Sequence, residues 1–191
     1  MSLPLVILDR DGVINEDSPD YIKSLDEWSP LAGSLDAIAR LKHAGYPLAV
    51  ATNQSGLARG LFDQATLDAM HERLQGLLAE RRCRLDMIAF CPHGPDDGCD
   101  CRKPRPGLYH RISETLGLPL AGAVVVGDSG RDLEAAVEVG ARPVLVLTGK
   151  GEATRDRGGL PDGTLVCRDL SAAVDRLLAE GAQAPASRDS D

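Results

Sequence analysis

Two acids and a turn stand at the end of the chain's first apolar run: Leu5-Val6-Ile7-Leu8 leads into Asp9-Arg10-Asp11-Gly12-Val13-Ile14-Asn15. Carboxylates at i and i+2 beyond a strand end converge on one point once Gly12 lets the backbone turn. A third acid, Asp128, follows the run Ala123-Val124-Val125-Val126 in Gly127-Asp128-Ser129-Gly130-Arg131-Asp132. Three such acids side by side repel one another without a cation. Hard oxygen ligands with room for water and a phosphate suit Mg²⁺. Thr52-Asn53-Gln54-Ser55-Gly56 offers hydroxyl, amide and backbone donors to an anion, and Arg102-Lys103-Pro104 adds two cations. Pro106-Gly107 then opens a helix whose N-terminus attracts anions. Arg binds phosphate as a fork and Lys as a point charge. Taken singly, each motif is an ordinary polar turn or a solvated pair. Together they describe a phosphate site.

A second cluster is softer. Cys91-x-His93-x5-Cys99-x-Cys101 places four borderline or soft ligands in one loop. Tetrahedral Zn²⁺ takes that set, and four protein ligands leave no open position for water, so a structural ion is expected. The competing readings are free buried thiols or a disulfide. A zinc loop closing at Cys101 would fix Arg102 and Lys103, next in the chain, over the phosphate site. Cys83 and Cys167 read as ordinary buried cysteines, and His43, His71 and His110 fall on predicted helices without a chemical role.

The elements that must position these residues alternate. Strands are expected at 5–8, 47–51, 87–90, 123–126 and 143–147, with a sixth at 164–167. Helices are expected at 33–45, at 64–82 with Asp63 as cap, from Pro106 to Gly117, at 131–139, and after a Ser171 cap. That order predicts an α/β, doubly wound parallel sheet, in which ligands bind beyond the carboxyl ends of the strands.

At 191 residues the chain suits one compact domain, expected over 1–181, with a small, polar, frayed tail over 182–191. Aromatic residues make up 3%, and 21 Lys and Arg face 29 Asp and Glu, giving a net charge of -8. Stacking platforms for single strands are scarce, and bulk charge opposes nucleic acid or an anionic membrane. No apolar run approaches the roughly 20 residues of a membrane span. The N-terminus lacks the basic region of a signal peptide. A reducing, cytoplasmic setting is expected, and a monomer.

The motifs DRDGVIN, TNQSG, the Lys of CRKP, and GDSGRD resemble those of the haloacid dehalogenase superfamily of phosphohydrolases, from about residue 5 to residue 150. The resemblance implies a Rossmann-like sheet, Asp9 as nucleophile and Asp11 as general acid/base, with an aspartyl-phosphate intermediate. It implies Mg²⁺ on Asp9, the Asp11 backbone carbonyl and Asp128, with Thr52, Asn53 and Lys103 neutralising the phosphoryl oxygens. A halide leaves unprotonated, so the second acid, Asp11, favours phosphate esters over dehalogenation. Within the superfamily, LDRDG, TNQSGLARG, CRKPRPG and TGKG are similar to the branch that removes the 7-phosphate from a heptose 1,7-bisphosphate. Only 36 residues separate Asn15 from Thr52, so no cap domain fits and the fold is expected to be capless. Specificity then falls to loops, with Asp17, Asp20, Tyr21, Asn53, Gln54, Ser55, Arg59 and Arg102 expected at the substrate. Histidinol-phosphate phosphatases resemble the same zinc loop and CRKP, but often carry an acid after the Asn-Gln pair. Here neutral Ser55 and Arg59 better match a sugar bisphosphate. A DNA 3'-phosphatase is opposed by the acidic balance, and a zinc-stabilised binding module by the intact acidic and cationic set. Ser129 stands where that branch often has Lys. Asp132 is left between orienting Lys103, supporting the metal and lying on a helix surface.

Overall fold

The computed structural model describes residues 3–183. Six strands form one sheet: β1 (Val6–Leu8), β2 (Leu48–Asn53), β3 (Met87–Cys91), β4 (Val124–Gly127), β5 (Arg142–Val146) and β6 (Leu165–Cys167). Their order is β3-β2-β1-β4-β5-β6, and every pairing is parallel. The helices between them are α1 (Ser34–His43), α2 (Gln64–Ala79), α3 (Gly107–Leu116), α4 (Gly130–Glu138), α5 (Gly151–Arg157) and α6 (Leu170–Gln183). This is the expected doubly wound sheet, with the chain reversing its direction of travel at β1.

The apolar runs form strands because both faces are covered. Val6 and Leu8 of β1 face a core built with Ile38 and Leu41 of α1, Met70 and Leu74 of α2, and Val174 of α6. Ile7 faces the opposite core, with Ala49 and Ala51 of β2, Leu108 and Ile112 of α3, and Ala135 of α4. All three β1 residues are fully buried. Between β1 and α1 the chain forms only a loop, tied by the isolated bridges Asp11–Asn15 and Asn15–Pro30.

Several boundaries differ from expectation. Asp63 caps α2 as predicted, its carboxylate accepting from the Thr66 amide. The cap of α6 is Asp169, which accepts from the Ala172 amide, rather than Ser171, which lies inside the helix. An Asp two residues earlier offers the stronger acceptor to the orphan amides. α5 was not expected, because Gly-Glu-Ala-Thr-Arg-Asp-Arg has no apolar period. α6 runs to Gln183, two residues into the predicted tail; the rest of that tail, 184–191, lies outside the described residues. No helix among the described residues is long and apolar enough to cross a membrane.

Leu74 of α2 is fully buried against the β1 face. Leu74→Ala is expected to lower the free energy of unfolding by about 2–5 kcal/mol, through lost transfer energy and a residual cavity. Denaturant melts read this directly, and an unchanged midpoint would contradict the packing described.

Candidate active site

The carboxyl ends of β1, β2 and β4 meet around one buried ammonium. Lys103 Nζ lies 2.9 Å from Asp9 Oδ1, 2.6 Å from Asp132 Oδ1, and donates to the Ala51 carbonyl at 2.7 Å. The side chain is 3% exposed. Burial alone would lower its pKa, but Asp132 and Asp9 outweigh that and raise it, so Lys103 stays charged. Asp132 is itself only 1% exposed; its other oxygen accepts from the Ser129 hydroxyl and amide in a capping box that opens α4. The structure removes the helix-surface reading of Asp132: its carboxylate is buried, meets Lys103 and lies beside Asp9 and Asp128. The Lys103 backbone is gripped as well, because Asn53 Oδ1 accepts from its amide and Asn53 Nδ2 donates to its carbonyl, both at 3.1 Å.

Asp9 is raised to about 6, chiefly by burial and then by Asp132 and Asp11 against the pull of Lys103. Asp128 is pushed to about 8 by burial and by the Asp9 and Asp132 charges. Ligand atoms of Asp9, Asp128 and Asp132 lie within 4.8 Å of one another. Both oxygens of Asp132 are engaged, whereas Asp9 Oδ2 and Asp128 Oδ1 accept no hydrogen bond from the described residues. Two open carboxylate oxygens, crowded enough to suppress ionisation, fit a hard divalent cation. Asp128 is pressed in from both sides: a Cβ on Gly12 would stand 2.1 Å from its Oδ2, and one on Gly149 2.3 Å away. Both glycines also have positive φ, +83° and +56°, so the approach and the backbone conformation demand the same residue.

Asp11 is held differently. Arg10, 1% exposed, turns its guanidinium back onto the Asp11 carboxylate at 2.9 to 3.1 Å through Nε and Nη2. Asn15 Nδ2 donates to Asp11 Oδ1, and Gln54 Nε2 to Oδ2, each at 2.8 Å. Burial works to raise this carboxyl, yet Arg10, Asn15 and Gln54 outweigh it and hold it below the ordinary carboxylate range. Gln54 also donates to Thr52 Oγ1, linking the β2 end to Asp11. On its other side Arg10 Nη1 lies 3.4 Å from His71 Nε2 of α2. Burial and then the Arg10 charge depress His71 to about 4, leaving it neutral to receive that contact.

The Cys/His cluster forms where the spacing places it. All five cysteines are free thiols, so the disulfide reading is set aside. Cys91 Sγ lies 3.7 Å from Cys99 Sγ, 3.1 Å from Cys101 Sγ and 3.6 Å from His93 Nδ1, which is 3.3 Å from Cys101 Sγ. The edges of a tetrahedron with Zn–S bonds near 2.3 Å are about 3.7 Å, close to this set. Burial and the neighbouring thiols push Cys101 up to about 12, a crowding that a divalent cation relieves. Gln54 N donates to the Cys91 carbonyl, so the cluster is tied to β2 as well as to Lys103.

One cavity of about 230 Å³ opens over these groups. Asp9, Asp11, Thr52, Asn53, Gln54, Ser55, Arg102, Lys103 and Asp128 line it together, with Asp17 and Tyr21 from the loop after β1. Asp20 and Arg59 do not line it; the Arg59 guanidinium instead sits 5.8 Å over the Tyr21 ring, bracing that loop from outside. Arg102 donates to the His93 carbonyl at 3.2 Å. Sequence reasoning assigned no role to two cations of the wall, Arg131 and Lys150. Lys150 Nζ pairs with Asp17 at 2.6 Å, and its backbone amide donates to Asp128 Oδ2 at 2.8 Å. The TGKG stretch carried the signal, since it follows β5 and so lies at the same sheet edge.

Comparison with known proteins agrees with this geometry. Residues 100–173 match the HAD-hydrolase-like family model. A D-glycero-beta-D-manno-heptose-1,7-bisphosphate 7-phosphatase of Pseudomonas aeruginosa is 58% identical over 178 residues, covering 93% of this chain and 99% of the relative. The crystal structure of the D,D-heptose 1,7-bisphosphate phosphatase from B. bronchiseptica, complexed with magnesium and phosphate, is 56% identical, with a TM-score of 0.91 over 93% of this chain and 99% of that one. The corresponding phosphatase of Burkholderia thailandensis is 48% identical, with a TM-score of 0.73 over 92% of this chain and 99% of that one. The chain belongs to the heptose 1,7-bisphosphate phosphatase family of haloacid dehalogenase-like hydrolases.

Proposed function

We propose that this chain is a magnesium-dependent phosphatase that removes the 7-phosphate of D-glycero-D-manno-heptose 1,7-bisphosphate and leaves the 1-phosphate in place. The observation that carries the reading is Asp9 itself: a buried carboxylate with one oxygen on Lys103 and the other open to the cavity. Close kinship with proteins of that name, one of them holding magnesium and phosphate, supports the substrate and the metal.

In the proposed reaction Asp9 Oδ2 attacks phosphorus while the bond to the sugar oxygen breaks, giving an aspartyl-phosphate. Asp11, carrying a proton for this step, gives it to the departing alkoxide. As a carboxylate it then takes a proton from water, whose oxygen attacks phosphorus and releases inorganic phosphate from Asp9. The arrangement around Arg10, Asn15 and Gln54 favours that second, basic form. Lys103 and the Thr52 hydroxyl face the phosphoryl oxygens, where charge gathers. Asp9, the Asp11 carbonyl and Asp128 would hold Mg²⁺, which supplies further charge neutralisation at the same oxygens. Cys91, His93, Cys99 and Cys101 would hold a structural Zn²⁺. We place this monomeric reaction in the cytoplasm, where thiols stay reduced.

Asp9→Asn is expected to abolish turnover without unfolding the chain, since the amide cannot attack phosphorus; near-native phosphate release would overturn the mechanism. Asp11→Asn should lose most activity on alkyl phosphates and less on p-nitrophenyl phosphate, whose phenolate leaves with little protonation. Equal losses on the two esters would remove Asp11 as the leaving-group acid. A mild chelator should strip activity and magnesium together, with recovery on adding Mg²⁺, while about one zinc per chain stays bound by its four ligands. Elemental analysis without zinc would sink the structural-zinc reading. Faster hydrolysis of histidinol phosphate than of either heptose bisphosphate anomer would move the substrate to that compound.

A further inference from the structure

The cavity wall carries cations that the proposed reaction at Asp9 does not use. Arg131 lies in the first turn of α4, one residue before Asp132, and lines the same cavity as Asp9. Its neighbour Asp132 turns inward to Lys103, whereas the Arg131 side chain stays exposed and, among the described residues, has no carboxylate within ion-pair distance. The adjoining surface groove shares Arg131 and Lys150 with the cavity and adds Arg157 and one acid, Glu134, so three cations face one carboxylate there. The Lys150 side chain is half exposed and, among the described residues, its ammonium pairs with Asp17 alone. Arg102, by contrast, is partly committed to the His93 carbonyl, and Arg59 to the Tyr21 ring.

We propose that Arg131 is a specificity-determining residue that binds the second, non-reacting phosphate of the substrate, with Lys150 turning from Asp17 to the same anion. The inference rests on the bisphosphate reading above and assigns the far end of that substrate to the α4 side of the cavity. A guanidinium without a carboxylate partner presents its full fork to a phosphate and gives up no existing ion pair to do so. The Ser129–Asp132 capping box fixes the start of α4, so Arg131 projects from a rigid turn and not from a loop. Ser129 itself, occupied with Asp132, is spent on that anchorage. Lys150 would exchange Asp17, whose side chain is 16% exposed, for the incoming phosphate, one anionic partner for another.

The test is a comparison of specificity constants for heptose 1,7-bisphosphate and heptose 7-phosphate, in the wild-type chain and in single variants. The wild type is expected to prefer the bisphosphate. Arg131→Ala should lower the bisphosphate-to-monophosphate ratio about ten- to a hundredfold, the loss of one charge-assisted contact. Arg131→Lys should recover part of that loss by restoring charge without the fork. Lys150→Ala should lower the ratio by a smaller factor. Arg84→Ala, on a different surface groove beside α2, serves as the control for charge alone. A wild-type chain without preference for the bisphosphate overturns the substrate reading and this assignment together. A wild-type preference that survives Arg131→Ala undiminished overturns this assignment only, and returns the second phosphate to Arg102. A loss in Arg84→Ala equal to that in Arg131→Ala would reduce the effect to net charge and also overturn it.

Discussion

The ammonium of Lys103 is the point on which the site depends. It comes from the segment after the Cys/His cluster, yet it is met by Asp9 from the end of β1, Asp132 from α4 and the Ala51 carbonyl of β2. Four separate stretches of chain must be in register before any of these contacts exists. A buried ion pair of this kind is weak evidence for stability, since desolvation offsets most of the Coulombic gain. Its worth lies in specification. Without the cation, Asp9 and Asp132 would be two charges buried in low dielectric, and one would take up a proton. With it, Asp9 can keep its charge even though burial raises it to about 6, as the proposed attack on phosphorus requires.

The two neighbouring carboxylates at the β1 end are separated in function by their surroundings, not by their type. Asp9 keeps an oxygen open to the cavity, while Asp11 is saturated by donors from Arg10, Asn15 and Gln54. Arg10 in turn is confined by Met70 and His71 of α2, so a helix packed on one face of β1 helps set the electrostatics of the Asp11 carboxyl. The same division governs the cation side. Lys103 is buried and fixed, whereas Arg131 and Lys150 are exposed and able to follow a ligand.

The fold was legible because the strands are short apolar runs, with β1, β2 and β4 leading into polar motifs, and the major helices carry an apolar period. The Asp9–Asp11 pair and the Cys/His cluster were legible because their spacing is local, and Asp128 because it stands at the end of an apolar run. What escaped depended on partners distant in sequence. The role of Asp132 stayed open among three readings until the fold brought its carboxylate to Lys103, 29 positions earlier. Arg10 gave no sign of being buried, since a guanidinium between two acids reads as a surface residue. Arg131 and Lys150 belong to the wall only because β4 and β5 are adjacent. Arg59, by contrast, was placed at the substrate on charge alone, and the loop geometry directs it to the Tyr21 ring. α5 escaped for a simpler reason, having no apolar face to announce it.

The parallel register has a consequence for how such a chain can vary. Val6, Ile7 and Leu8 pair with Val124, Val125 and Val126, with Asp9 the next residue after Leu8 and Asp128 one residue further on, after Gly127. Side chains alternate between faces with each residue, so a single insertion within β4 would turn its apolar set to the wrong layer and carry Asp128 past the sheet edge. Length changes are therefore confined to the loops and to the opposite, amino-terminal rim of the sheet. Substrate preference can drift through the loop after β1 or the start of α4, while the spacing from strand to acid stays rigid.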